Sequence, residues 1–245
     1  MLKDKVILVT GVGKGIGLDI VKLSVKYGAY VYGITRSKKD LKEFKYIKNC
    51  QIFIGDVKKK NIFLKVLNKS KKDNKKINGL VNNAGIRQRK EFNKISSKDL
   101  KEVFDNIFFS IFYSMQIFSN YLIKNKLAGS IVNIGSIVGQ RGFENLSGYA
   151  SSKTAVEGLT KSFAIEMSKK NIRANIINPG FIKTSYYKNF KNKNKKLYNW
   201  TLGKIPQKKW GEVSDVSELV CFLLSNKSKY ITGSSLNTDG GWLSN

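Results

Sequence analysis

The sequence predicts a single doubly wound α/β domain over residues 1–245, with a seven-stranded, mainly parallel sheet and helices on both faces. Three observations predict it. Short, continuously apolar runs alternate with longer helical patterns along the whole chain, as in parallel sheets covered on both sides. The ends of these runs carry glycine or small polar residues, where such sheets bind ligands. The 245 residues hold only two prolines, no linker-like stretch and no internal repeat, so nothing divides the chain.

The elements follow in order. "KVILVT" (5–10) is a buried strand, and 15–27 reads as a helix. "AYVYGI" (29–34) and "QIFIGDV" (51–57) are the second and third strands, followed by a helix near 57–72. "INGLVNNAG" (77–85) holds the fourth strand, and one long helix is expected over 97–126. "GSIVNIGS" (129–136) is the fifth strand, and a helix follows over 148–169. "IRANIINPG" (172–180) is the sixth strand, 212–225 is helical, and "GSSLNTDGG" (233–241) closes with a seventh strand.

Composition narrows the function classes. The net charge is +28, yet only five of the 45 basic residues are arginine, the side chain suited to bidentate phosphate contacts. The lysines are spread along the chain among Asn and Ile, which argues for solvated faces and against a nucleic-acid partner. No run approaches the ~18 apolar residues of a membrane span, and the start carries no secretory pattern; a cytoplasmic protein is expected. Cys50 and Cys221 stand far apart in apolar contexts, so two buried free thiols and no metal site are expected.

"TGVGKGIG" (10–17) joins the first strand to the first helix. Gly11, Gly15 and Gly17 allow a tight turn and close backbone approach to a pyrophosphate, with Lys14 and Ile16 inside the same turn. Past the second strand stand Thr35 and Arg36, with no carboxylate before Asp40. An acidic residue there would suit a ribose 2′-hydroxyl, whereas Arg36, aided by Lys14, suits a 2′-phosphate. NADP(H) is therefore expected in preference to NAD(H).

The chain has no histidine. In "SGYASSK" (147–153), Tyr149 and Lys153 are four residues apart and share a helix face. An ammonium beside a phenol favours the phenolate, so Lys153 is expected to lower the pKa of Tyr149. Such a phenol can exchange a proton with a carbonyl or alcohol oxygen. Ser136, at the end of the fifth strand, can orient that oxygen by a hydrogen bond.

The glycine turn, "NNAG" (82–85), a serine thirteen residues before the YxxxK pair, "NPGFIKT" (178–184) and "YITGSSLNTDGGW" (230–242) together resemble the short-chain dehydrogenase/reductase family over nearly the whole chain. The resemblance implies a Rossmann domain and hydride transfer between nicotinamide and a carbonyl or secondary alcohol. It implies that Asp56 and Val57 hold the adenine, and that Asn83, Ala84 and Gly85 line the cofactor groove. Pro179, Gly180, Ile182 and Thr184 would meet the nicotinamide end, along with Tyr149 and Lys153. Asn106, in "FDNIFFSIF" (104–112), would complete a catalytic set with Ser136, Tyr149 and Lys153 by holding a water in a relay to Lys153.

Residues 185–210 correspond to a basic, amphipathic substrate lid, with Tyr186, Tyr187, Phe190, Leu197 and Trp200 as its expected apolar face. Three activities compete. The first is reduction of a 3-oxoacyl thioester, free or carried on acyl carrier protein, with Lys126 and Lys170 near carrier-contacting positions. The second is oxidation of a sugar acid or polyol, as in gluconate 5-dehydrogenases, with Arg87 and Arg89 placed for a carboxylate. The third is nucleotide binding without catalysis. The resemblance also implies a homotetramer built on the helices at 97–126 and 148–169.

Overall fold

In the computed structural model, residues 1–184, 187 and 194–244 are described. Seven parallel strands form one sheet in the order β3-β2-β1-β4-β5-β6-β7. The strands are β1 (Val6–Thr10), β2 (Tyr30–Thr35), β3 (Cys50–Ile54), β4 (Gly79–Asn82), β5 (Gly129–Ile134), β6 (Ile172–Pro179) and β7 (Ser235–Thr238). β1 pairs with β2 on one side and β4 on the other, so the chain reverses its direction of travel between β1 and β4. That reversal opens a crevice at the strand ends, where this Rossmann order binds ligands.

Within each strand, alternate residues serve opposite cores. Leu8, Tyr32, Ile131 and Ile176 enter the core under α2 (Lys60–Lys72), α4 (Ser110–Lys124) and α5 (Ser147–Ser168). Their neighbours Ile7, Val31, Val132 and Ile177 enter the core under α1 (Gly15–Lys26) and α7 (Val213–Leu224). Two-sided burial explains why the strands read as continuous apolar runs rather than alternating ones. A third cluster, built on Ile137, Val138, Leu146, Ile205, Trp210 and Trp242, sits above the strand ends, with Tyr149 packed against it.

Several boundaries differ from the sequence expectation. β3 stops at Ile54 and β4 at Asn82, which leaves Asp56, Val57 and Asn83–Gly85 in the ligand-facing turns. The helix expected over 97–126 is broken: α3 (Ser97–Phe104) passes through a π-helical turn at Asp105–Phe109 into α4. The Asn106 amide donates to the Glu102 carbonyl there at 2.9 Å, and such turns widen a helix by one residue. Cys221 is buried but Cys50 only half so, because β3 is the sheet edge.

In the lid region, α6 (Lys195–Lys204) is present, while Tyr186 and Phe190 lie outside the described residues. Among the described residues, Tyr187, Tyr198 and Trp210 pack their rings together there, with Tyr187 5.2 Å from the Trp210 ring. Leu197 is half-buried, and Trp200 is exposed with its edge on Trp242.

Candidate active site

The glycine turn is a cradle that side chains would fill. Gly11 adopts φ +69°, and a Cβ there would come within 2.8 Å of the Ala84 Cα. A Cβ at Gly17 would collide with the Gly11 carbonyl oxygen and the Asn83 amide. Lys14 precedes α1 in an extended conformation, and no side chain caps the first turn. Backbone N–H groups at the helix start are therefore left without a capping side chain, an arrangement that fits a pyrophosphate.

A residue outside the sequence-based candidates holds this turn. The Thr10 hydroxyl accepts hydrogen bonds from the backbone N–H groups of Asn83 (3.0 Å) and Ala84 (3.1 Å), and donates to the Val81 carbonyl. The Asn83 amide in turn donates to the Gly11 carbonyl at 2.9 Å. Asn83 and Ala84 thus brace the cradle as well as bordering it. Gly85 has room, since a Cβ there would meet only Ile107, at 3.6 Å.

The other candidates frame the groove. Thr184 faces Gly15, where its methyl group lies 3.3 Å from the position a Cβ would take. Pro179 ends β6, the Gly180 N–H donates to the Thr238 carbonyl at 3.0 Å, and buried Ile182 bridges to Gly211. At the far end, Val57 is buried, and Asp56 accepts from the Lys58 N–H at 3.0 Å. Ile16 packs against the α1 side of the core, while Lys14 and Arg36 are exposed.

Ser136, Tyr149 and Lys153 come together just beyond β5. The Ser136 N–H donates to Asn178 Oδ1 at 3.2 Å, and the Asn178 amide donates to Ser235 (2.8 Å) and Asn237 (3.2 Å) on β7. Asn178, read in the sequence only as the first residue of "NPGFIKT" at a strand end, ties the catalytic corner to the neighbouring strands. Ser136 hydrogen-bonds the Tyr149 phenol and accepts from the Val138 N–H at 3.2 Å. Lys153 is buried and donates to the Ile134 carbonyl at 2.6 Å, with its Nζ 5.7 Å from the centre of the Tyr149 ring.

A buried polar ladder fixes α5 on the sheet. Ser114 donates to Asn82 (2.7 Å), Asn82 to Asn133 (2.8 Å), and Asn133 to Thr160 on α5 (2.9 Å). Asn106 sits at the π turn, its amide engaged by Glu102 and its carbonyl accepting from the Ser110 hydroxyl at 2.9 Å.

The electrostatics correct one expectation. Burial pushes the Tyr149 phenol pKa up; the Ser136 hydrogen bond and the Arg87 guanidinium pull it down without cancelling that burial. Lys153 is not among the groups that lower the phenol's pKa, and burial brings its own ammonium pKa down to about 8. Arg87, considered in the sequence only as a carboxylate anchor, is the cation that acts on the phenol. Lys126 and Lys170 precede the first residues of β5 and β6, so within one subunit they lie at the N-terminal ends of the strands, opposite the end that carries this site.

The arrangement offers a phosphate cradle, a protonated phenol and an orienting hydroxyl in one crevice. The family model described as enoyl-(acyl carrier protein) reductase matches residues 11–243. The chain is 36% identical to a 3-oxoacyl-[acyl-carrier-protein] reductase of Buchnera aphidicola subsp. Schizaphis graminum, covering 98% of each. It is 35% identical to a 2-dehydro-3-deoxy-D-gluconate 5-dehydrogenase of Bacillus subtilis, covering 99% of this chain and 96% of the relative. The solved structure of ElxO with NADP bound superposes with a TM-score of 0.91 at 30% identity, covering 98% of this chain and 99% of that one.

Proposed function

Because the chain belongs to the short-chain dehydrogenase/reductase family, and is thus an oxidoreductase of carbonyl or CH–OH groups, we propose that it reduces a 3-oxoacyl thioester with NADPH. The observation that carries the chemistry is the grouping of Ser136, Tyr149 and Lys153 beside a glycine cradle. When bound, the reduced nicotinamide supplies the hydride. Ser136 and Tyr149 hold the substrate oxygen, and Tyr149 gives it a proton as charge develops there. Lys153 and the cradle hold the cofactor, with Arg36 and Lys14 favouring a 2′-phosphate. Asn106, at the π turn, would hold a water in the relay that returns a proton toward Lys153.

The 3-oxoacyl assignment draws on the acyl-carrier-protein reductases among the relatives and on a basic surface suited to an acidic carrier. A second reading, sugar-acid oxidation, draws on the gluconate-type relative and on Arg87 beside Tyr149, a cation placed for a substrate carboxylate. NADPH oxidation with acetoacetyl thioesters and with keto-gluconates separates them. Turnover of the thioester, salt-sensitive when it is carried on acyl carrier protein, supports the first reading; turnover of keto-gluconates alone replaces it with the second.

Self-association belongs to the same proposal. Leu100, Phe109, Phe112 and Ile165 expose 41%, 40%, 38% and 78% of their surface along α3, the π turn, α4 and α5. A second copy packing these helices would cover that apolar surface. Light scattering behind a sizing column should report a tetramer; a monomer would remove this part of the proposal.

A further inference from the structure

The corner that receives the ribose end of a dinucleotide holds a carboxylate that spacing along the chain had placed elsewhere. Asp40 is five residues beyond Thr35, in a short 3₁₀ turn at Lys38–Phe44. The turn folds back toward β1. The Thr35 hydroxyl donates a short hydrogen bond to Asp40 Oδ2, and the Ser37 N–H reaches the same hydroxyl at 3.4 Å. The Asp40 carboxylate lies against the open face of Gly13, and a Cβ at Gly13 would overlap both its Oδ2 and its Cγ. A negative charge therefore stands between the end of β2 and the glycine turn, wedged where only glycine leaves it room.

Among the described residues, no ion pair joins this carboxylate to Arg36 or Lys14, the two exposed cations of the same corner. Its charge is left to act on a ligand. An acidic group at the end of the second strand accepts a hydrogen bond from a ribose 2′-hydroxyl and repels a 2′-phosphate. Arg36 and Lys14 have the opposite preference. The site carries both kinds of determinant, and Asp40 is the one that opposes the phosphate.

We propose that Asp40 is a cofactor-specificity residue that holds the preference for NADP(H) over NAD(H) down, by placing a carboxylate against Gly13 and Thr35 at the 2′ corner. This rests on the reading of the glycine turn as a dinucleotide site. Asp40 touches no reacting atom, so its effect is on nucleotide affinity.

Calorimetric titration of the cofactor-free, full-length protein with NADP⁺ and with NAD⁺ tests this directly. Asp40→Asn keeps an acceptor for the Thr35 hydroxyl and removes the charge. The expected result is an affinity for NADP⁺ raised about tenfold, with that for NAD⁺ unchanged or lowered. A change of less than threefold in the ratio of the two affinities, with or without a change in melting temperature, would overturn the proposal and reduce Asp40 to a turn-capping role. Wild-type protein that binds neither nucleotide would overturn the dinucleotide reading, and this assignment with it. Wild-type preference for NAD⁺ would count against the NADPH assignment alone, because the Asp40→Asn ratio still decides the role of Asp40.

Discussion

Replacing Lys153 with methionine should change the stability of the protein in a way that depends on pH. Lys153 keeps 6% of its surface exposed, and burial lowers its pKa from 10.5 to about 8. A gap of this size corresponds to about 3 kcal/mol of differential stability. The sign follows from proton counting. Below pH 8 the folded and unfolded states both carry the proton, and the cost of burying the charge is fully present. Between about 8 and 10.5 the unfolded chain keeps the proton and the folded chain releases it, so wild-type stability rises with pH through that window. Methionine cannot titrate. The hydrogen bond it loses to the Ile134 carbonyl sets the offset between the two proteins, while the pH dependence reports burial. Urea unfolding of both proteins at equal concentration, followed by circular dichroism from pH 7 to 10.5, gives the comparison; other titrating groups cancel in the difference. The variant should lose about 3 kcal/mol relative to wild type across the window. A difference that stays flat to within about 1 kcal/mol would refute the claim that this lysine is buried as a strained cation.

Three further outcomes are expected. Tyr149→Phe should lower kcat by about 10³-fold while NADP⁺ affinity, measured by calorimetry, stays within about twofold. Gly17→Ala should abolish nucleotide binding and cost about 1–3 kcal/mol in thermal unfolding, because its methyl group meets the Gly11 carbonyl and the Asn83 amide. Asn178→Ala should destabilise the protein by about 2 kcal/mol and lower kcat without weakening nucleotide binding, since it frees Ser136 from β7.

The seven strands and the two-sided cores were legible because continuous apolar runs and glycine turns are local signals, whereas the order of the strands in the sheet came only with the structure. The Tyr149–Lys153 pair was legible for the same reason: four residues on a helix fix a shared face, and the Nζ does lie over that ring. What escaped was tertiary. Thr10 looks like an ordinary strand residue until its hydroxyl meets Asn83 and Ala84, more than seventy positions away. Asn178 acts through strands β5 and β7, and Asp40 reaches Gly13 only because its 3₁₀ turn folds back. The break at Asp105–Phe109 was hidden because the run "IFFSIF" (107–112) is apolar on nearly every face, so the one-residue phase shift of a π turn leaves no mark; the only local hint was an Asn within an apolar helix.

The raised phenol pKa bears on the direction of the reaction. Reduction of a carbonyl needs Tyr149 protonated, and burial keeps it so at neutral pH. An alkoxide forming beside it is far more basic than a phenolate, so proton transfer to that oxygen stays favourable even from a weakly acidic phenol. Oxidation of an alcohol needs the phenolate, which the same burial disfavours. A single desolvation therefore assists one direction and hinders the other, with Ser136 and Arg87 limiting the hindrance. Initial rates measured in both directions at saturating cofactor should show it. Reduction should be level across about pH 6–8, while oxidation should still be climbing at about pH 9. An oxidation rate that has already levelled off below about pH 7 would mean that the phenol is acidic in the working site, and burial would then not be what governs Tyr149.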